Sequence, residues 1–194
     1  MPRTIALIDG HPDPDPARLC HALADAYAAG ATEAGHTVHR VTLASMDIAF
    51  LRTAAEWHDA EPNADIRRAQ DAIAAADHLI IIYPLWLGTM PALLKAFLEQ
   101  MARPGFAIPK GSIGANAGLL RGKSARVVVT MGMPVFVYRF YFFAHSLKSL
   151  ERNILRFVGI RPIRETLIGM MGPQGHDRAA KWVTRLADFG RRGM

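Results

Sequence analysis

Three short stretches of this chain carry residues whose types and spacing suit the handling of a phosphorylated ligand with a flat ring. The first is Gly10-His11-Pro12-Asp13-Pro14-Asp15-Pro16-Ala17-Arg18. It leads into a helix-favouring segment, where unpaired backbone N–H groups and the helix dipole favour an anion. His11 and Arg18 add side-chain donors. The second is Tyr83-Pro84-Leu85-Trp86-Leu87-Gly88-Thr89-Met90-Pro91. A tryptophan and two leucines just past a buried strand can wall a flat apolar ring such as an isoalloxazine. The third, Thr130-Met131-Gly132-Met133-Pro134, offers a hydroxyl, a glycine and successive backbone amides. These are suitable donors for a ring edge that becomes negative on reduction. Each stretch also has a bland reading: a stiff connector in which Asp13 or Asp15 caps the helix, and a Trp86 that packs under the next helix.

Other chemistry is poorly supported. The first loop is neither a Walker loop nor GxGxxG, which argues against a nucleoside triphosphatase or a dinucleotide fold of that type. Eight histidines occur without HExxH or another close set, so no metal site is expected. The single cysteine, Cys20, excludes an internal disulfide and reads as buried and inert. Met131, Met133, Met170 and Met171 read as core packing.

The elements that must position these loops follow from apolar runs and breakers. Strands are expected at Thr4 to Asp9, Thr37 to Leu43, His78 to Tyr83, Ala125 to Met131 and Pro162 to Met170. Helices are expected at about Ala17 to Ala34, closed by Gly35, and at Asp65 to Ala76, Ala92 to Met101, Phe136 to Val158 and Gln174 to Arg191. Residues 103–123, with five glycines and two prolines, read as a long excursion. Five strands alternating with helices imply an α/β fold with a parallel sheet. Right-handed crossovers favour the flavodoxin-like strand order 2-1-3-4-5 in one domain over 1–194. The loops after strands one, three and four then meet at the switch point, and these are the three stretches above.

Composition sets the remaining bounds. The chain has 194 residues, 51% hydrophobic and 21% charged, enough for a proper core. Its apolar runs, such as Leu79 to Ile82, are far short of the roughly 20 residues a bilayer requires. The run near the N-terminus is too short for a signal-peptide core, so a cytoplasmic protein without an integral membrane segment is expected. Residues 1–97 hold 7 basic and 12 acidic side chains and residues 98–194 hold 16 and 5, so the second half is strongly basic. A phosphate-bearing small molecule accounts for that bias more economically than nucleic acid. Six aromatics crowd positions 136–143, too many for one buried helix face; they line a cavity or meet a partner subunit.

Four segments together resemble the flavodoxin-like NAD(P)H dehydrogenase (quinone) family, which includes DT-diaphorase and the bacterial quinone and drug-activity modulator reductases. They are Gly10-His11-Pro12, Tyr83-Pro84-Leu85-Trp86 with Pro91-Ala92-Leu93-Leu94-Lys95, Thr130-Met131-Gly132-Met133, and Asn153 to Ile160. The resemblance implies that His11, with Arg18, Leu19 and Cys20 at the helix start, contacts the flavin phosphates. It makes Pro84, Leu85, Trp86, Leu87 and Gly88 the ring wall, and places Thr130, Met131, Gly132 and Met133 near the reducible edge. Tyr138 falls on the active-site tyrosine, with His145 as its partner. The implied activity is hydride transfer from NAD(P)H through FAD or FMN, FAD slightly favoured, to a quinone-like acceptor in a ping-pong homodimer. The rivals are a flavodoxin-type electron carrier and a regulatory oxidoreductase subunit of a potassium-efflux system. Two departures stand out. The first loop is about two residues longer than in DT-diaphorase, and Met133-Pro134-Val135-Phe136 replaces a glycine-rich segment.

Overall fold

The computed structural model describes residues 1–111, 118–171 and 176–194. Residues 112–117 of the expected excursion, and the expected helix start at Gln174, lie outside them. The chain runs β1 (Thr4–Asp9), α1 (Leu19–Glu33), β2 (Thr37–Thr42), α2 (Ala54–His58), α3 (Ala64–Ala75), β3 (His78–Pro84), α4 (Ala92–Met101), β4 (Ser124–Thr130), α5 (His145–Ser149), β5 (Ile163–Ile168) and α6 (His176–Arg191). The sheet has the order β2-β1-β3-β4-β5 and every pairing is parallel, as the alternation of apolar runs and helices requires.

Strand alternation divides the interior into two layers. Ile5, Leu7, Ile80, Ile82 and Val128 face α1 and α6, where Leu23, Tyr27, Leu186 and Phe189 meet them. Ala6, Ile8, Leu79, Ile81, Val127 and Val129 face the other way, against Ile66, Ile73, Leu94 and Phe97 of α3 and α4. β3 is buried along its whole length, which explains its unbroken apolar run at the sheet centre. On the first side α1 and α6 cross in close contact. A Cβ on Gly30 would lie 2.1 Å from the Ala187 carbonyl oxygen, and one on Gly190 2.1 Å from that of Tyr27, so both positions require glycine.

The expected helix from Phe136 to Val158 is instead three pieces. Val137–Tyr141 forms a π-helical turn, Phe143 and Ala144 adopt φ of 52° and 49°, and α5 then runs into a second π-helical stretch at Leu150–Leu155. The left-handed pair breaks the helix without the glycine or proline that would have marked it. Its effect is to turn Tyr138 into the core while Phe136, Phe140, Tyr141 and Phe143 stay 57–75% exposed.

Candidate active site

All three loops leave the carboxyl end of the sheet, where parallel α/β sheets bind ligands. Asp9 ends β1 and is fully buried. Its Oδ2 accepts from His21 Nδ1 at 2.7 Å and from an Arg40 guanidinium nitrogen at 2.9 Å. His21 Nε2 lies 2.8 Å from the Asp13 carbonyl oxygen. A carboxylate on one ring nitrogen and a carbonyl on the other leave both nitrogens as donors, the imidazolium form. Burial alone would lower the His21 pKa, but Asp9 and the Asp13 carbonyl together raise it. His21 was not among the expected site residues. A histidine in the first turn after an aspartate-ended strand was its only signal.

Gly10 lets loop one lie against β3: its amide donates to the Ile82 carbonyl at 2.8 Å, and a Cβ there would meet that oxygen at 3.0 Å. The next residue, His11, is 7% exposed, and its Nδ1 accepts the Asp13 N–H at 3.1 Å. The ring proton therefore sits on Nε2, free to donate. Burial, and then the His21 charge, hold its pKa below the usual value. The His11 ring meets Trp86 edge-on at 5.7 Å, so loops one and two touch here.

At the start of α1 Arg18 occupies the capping position without a side-chain cap, and no acidic residue lies in the first turn. Among the described residues no acceptor takes the Leu19 or Cys20 N–H. Arg18 pairs with Asp13 at 2.7 Å and Asp15 at 3.3 Å, carboxylates of its own loop, and its side chain stays half exposed. Cys20 is buried with Sγ 3.4 Å from Thr130 Oγ1, tying α1 to loop three. Burial pushes its thiol up to about 12, which makes it inert as a nucleophile.

Loop two starts as Leu85 N–H donates to the Thr130 carbonyl at 2.7 Å, just past the buried Pro84. Trp86 and Thr89 exchange backbone bonds at 2.9 and 3.0 Å around Leu87 and Gly88, with φ of 46° and 78°. Two positive φ values make a primed hairpin turn, natural for glycine and strained for leucine. The turn holds Trp86 half exposed and Leu87 wholly exposed at its tip.

In loop three, Met131 donates to the Ile168 carbonyl and accepts from Met171, while Met133 accepts from Met170. Residues 169–171 therefore form a fourth loop of the site, absent from the sequence reading. Gly169 is its signal, since a Cβ there would lie 2.8 Å from the Met133 carbonyl oxygen. Among the described residues, nothing lies within 4 Å of where a Gly132 Cβ would be. The Gly132 and Met133 amides have no acceptor among the described residues.

The structure does not bring Tyr138 and His145 together as a catalytic pair. Tyr138 is 1% exposed, with its hydroxyl 2.8 Å from Ser146 Oγ and accepting the Leu147 N–H at 3.2 Å. That hydroxyl caps the start of α5, whose own capping residue, Ala144, has no side-chain donor or acceptor. His145 is exposed and stacks on Phe143 at 5.7 Å. Both side chains point to positioning of the aromatic segment.

A model of the flavodoxin-like fold family matches residues 3–189. The chain belongs to that family. An uncharacterized NAD(P)H oxidoreductase of Haemophilus influenzae is 33% identical over 106 residues, covering 54% of this flavodoxin-like chain and 52% of the relative. An FMN-dependent NADH:quinone oxidoreductase of Ruegeria pomeroyi is 31% identical over 68 residues, or 35% of this chain and 33% of that one. The chain thus matches about half or less of the length of these relatives. A solved NAD(P)H:quinone oxidoreductase from Methanothermobacter marburgensis superposes with a TM-score of 0.82, at 22% identity, over 99% of this chain and 96% of that one. At that identity the likeness establishes the flavodoxin-like fold.

Proposed function

We propose that this chain is a flavin-dependent NAD(P)H oxidoreductase that delivers reducing equivalents to a quinone-like acceptor. One observation carries the reading. Three sets of donors with no acceptor among the described residues, His11 Nε2–H, the Leu19 and Cys20 amides, and the Gly132 and Met133 amides, open on one edge of the sheet beside an exposed tryptophan. Such a set fits a phosphate at one end and a polar ring edge at the other, with an apolar wall between. The names of the relatives support the same activity.

A bound flavin supplies the hydride chemistry itself, accepting from a nicotinamide and passing reducing equivalents onward. The chain's residues hold it and exclude water. His11 would donate to a phosphate oxygen, with the α1 amides and the nearby His21 charge offsetting the negative charge. Trp86, Leu85 and Leu87 would cover one ring face. The Gly132 and Met133 amides would meet the edge where negative charge develops, and a bond that strengthens there raises the rate. We place FMN in the site rather than the FAD that the sequence resemblance slightly favours, because a relative is named as FMN-dependent. Phe136, Phe140, Tyr141 and Phe143 support a twofold homodimer, since so much exposed apolar area favours burial against a second copy. Among the described residues no helix is long and apolar enough to cross a membrane, and a cytoplasmic site of action fits an enzyme that draws on NAD(P)H.

Reconstitution with FMN and with FAD, followed by gel filtration and mass spectrometry of the released cofactor, tests the reading. One FMN retained per chain is the expected result. Colourless, folded protein from both reconstitutions would overturn it.

A further inference from the structure

The end of the sheet opposite the candidate site carries a cavity of about 640 Å³, lined by the starts of β1, β3 and β4, the approach to β5 and the residues after α6. Arg3, Arg161, Arg164 and Arg192 line it, against one acidic side chain, Asp77, and the last residue, Met194. Asp77 is occupied, its Oδ2 accepting the Thr4 N–H at 2.9 Å. Among the described residues none of the four arginines forms an ion pair.

Basic residues at this edge have one ordinary task, because helix C-termini there expose carbonyl groups that cations satisfy. Lys123 performs it for α3, reaching the Ala74 and Ala76 carbonyls at 2.7 and 2.6 Å. Arg3 and Arg192 perform it at the end of α6, on the Gly193 and Asp188 carbonyls at 2.9 and 3.2 Å. Two guanidinium groups are left over. Arg161 makes no side-chain hydrogen bond among the described residues, and Arg164 reaches only the Met194 sulfur at 3.7 Å.

A second, independent feature lies in the same cavity. His78 is 3% exposed and lines it. Its Nδ1 is 2.8 Å from Ser124 Oγ, while Nε2 is buried with no partner among the described residues. Burial, then the charges of Arg3, Arg126 and Arg164, push its pKa down to about 4, so the ring is neutral and the local field strongly positive.

We propose that this basal cavity binds a small polyphosphate-bearing molecule of nucleotide size, with phosphate oxygens on Arg161 and Arg164. The planar guanidinium fork matches phosphate oxygens two at a time. The volume is more than free phosphate fills and within the usual range for small-molecule sites. The arginines line a concavity rather than a stripe along one face, which favours a compact ligand over a nucleic-acid strand.

The test is isothermal titration of the purified protein, with its bound flavin, by ATP and by sodium tripolyphosphate at physiological salt. One site with a Kd of about micromolar order is expected for ATP. Arg161→Gln with Arg164→Gln should weaken it at least about tenfold, the loss of one charge-assisted bond or more. Both side chains are exposed, and circular dichroism checks that the pair variant is folded. His11→Ala, at the other end of the sheet, should leave ATP binding unchanged. That arm separates this cavity from the flavin loops whether or not the flavin reading holds. Hydrogen exchange on the wild type gives a second reading, with ATP slowing residues 122–125 and 161–164. The proposal falls if ATP produces no heat, if the pair variant binds equally well, or if His11→Ala abolishes binding. It also falls if a thymidine oligonucleotide binds and ATP fails to displace it.

Discussion

Replacing His21 by leucine probes the charge network under loop one. Leucine fills much of the same space but loses two donors, one to Asp9 Oδ2 and one to the Asp13 carbonyl. Asp9 is fully buried and its Oδ1 already lacks a partner among the described residues, so only Arg40 would remain to neutralise it. Removing one partner of a buried pair costs roughly 3–5 kcal/mol. With Arg40 still in place, the lower end, about 3 kcal/mol, is the expected loss. For a chain of this length that is a fall in Tm of roughly 6–12 °C. The pH dependence gives an independent sign. The folded-state pKa of His21 is raised above 6.5, so its contribution is complete below pH 6.5 and is lost as pH rises through the raised value. Thermal melts of flavin-free wild type and variant, from below pH 6.5 to well above it, should therefore show a gap that narrows with pH. A gap of less than about 2 °C at low pH, or one that widens as pH rises, would refute the network.

Tyr138→Phe removes the hydroxyl that accepts the Leu147 N–H, and should cost about 1–2 kcal/mol, a Tm drop of roughly 2–8 °C. Stopped-flow flavin reduction in that variant should stay within about twofold of wild type, whereas a large loss of rate would restore a catalytic tyrosine. His11→Ala should weaken flavin binding about tenfold to a hundredfold by fluorescence titration, the worth of one hydrogen bond to a charged phosphate. Because burial and the His21 charge keep His11 neutral, that penalty should be the same at every pH above 6.5. Cys20, with its thiol pushed up to about 12, should resist iodoacetamide in mild alkali, and Cys20→Ser should retain turnover.

The strand order, and with it the three loops at the carboxyl end of the sheet, was legible in the sequence because each rests on local signals. Leu79 to Ile82 is apolar for the length of a central strand, and Gly10, Gly88 and Gly132 mark places where the chain must turn or leave space open. What the sequence hid depends on the folded geometry of the chain rather than on local pattern. Arg18 read as a phosphate donor because its position at a helix start is favourable, and the fold adds what the sequence did not show, its pairing with Asp13 and Asp15. His21 drew no reading from the sequence, and only the packing of α1 against the end of β1 supplies Asp9. Phe143 and Ala144 adopt left-handed geometry with no glycine or proline beside them, so nothing local marked the break. The loop at 169–171 joined the site through backbone bonds to loop three, which no side-chain pattern encodes.

The most direct test of the oxidoreductase reading is an anaerobic titration of the FMN-loaded protein with NADH and with NADPH, followed by addition of a benzoquinone. Bleaching of the flavin band by at least one nicotinamide, at one equivalent per chain, and full return of colour with the quinone is the result expected. Protein that holds FMN but keeps its colour in excess of both nicotinamides would contradict the account and leave a flavin carrier in its place.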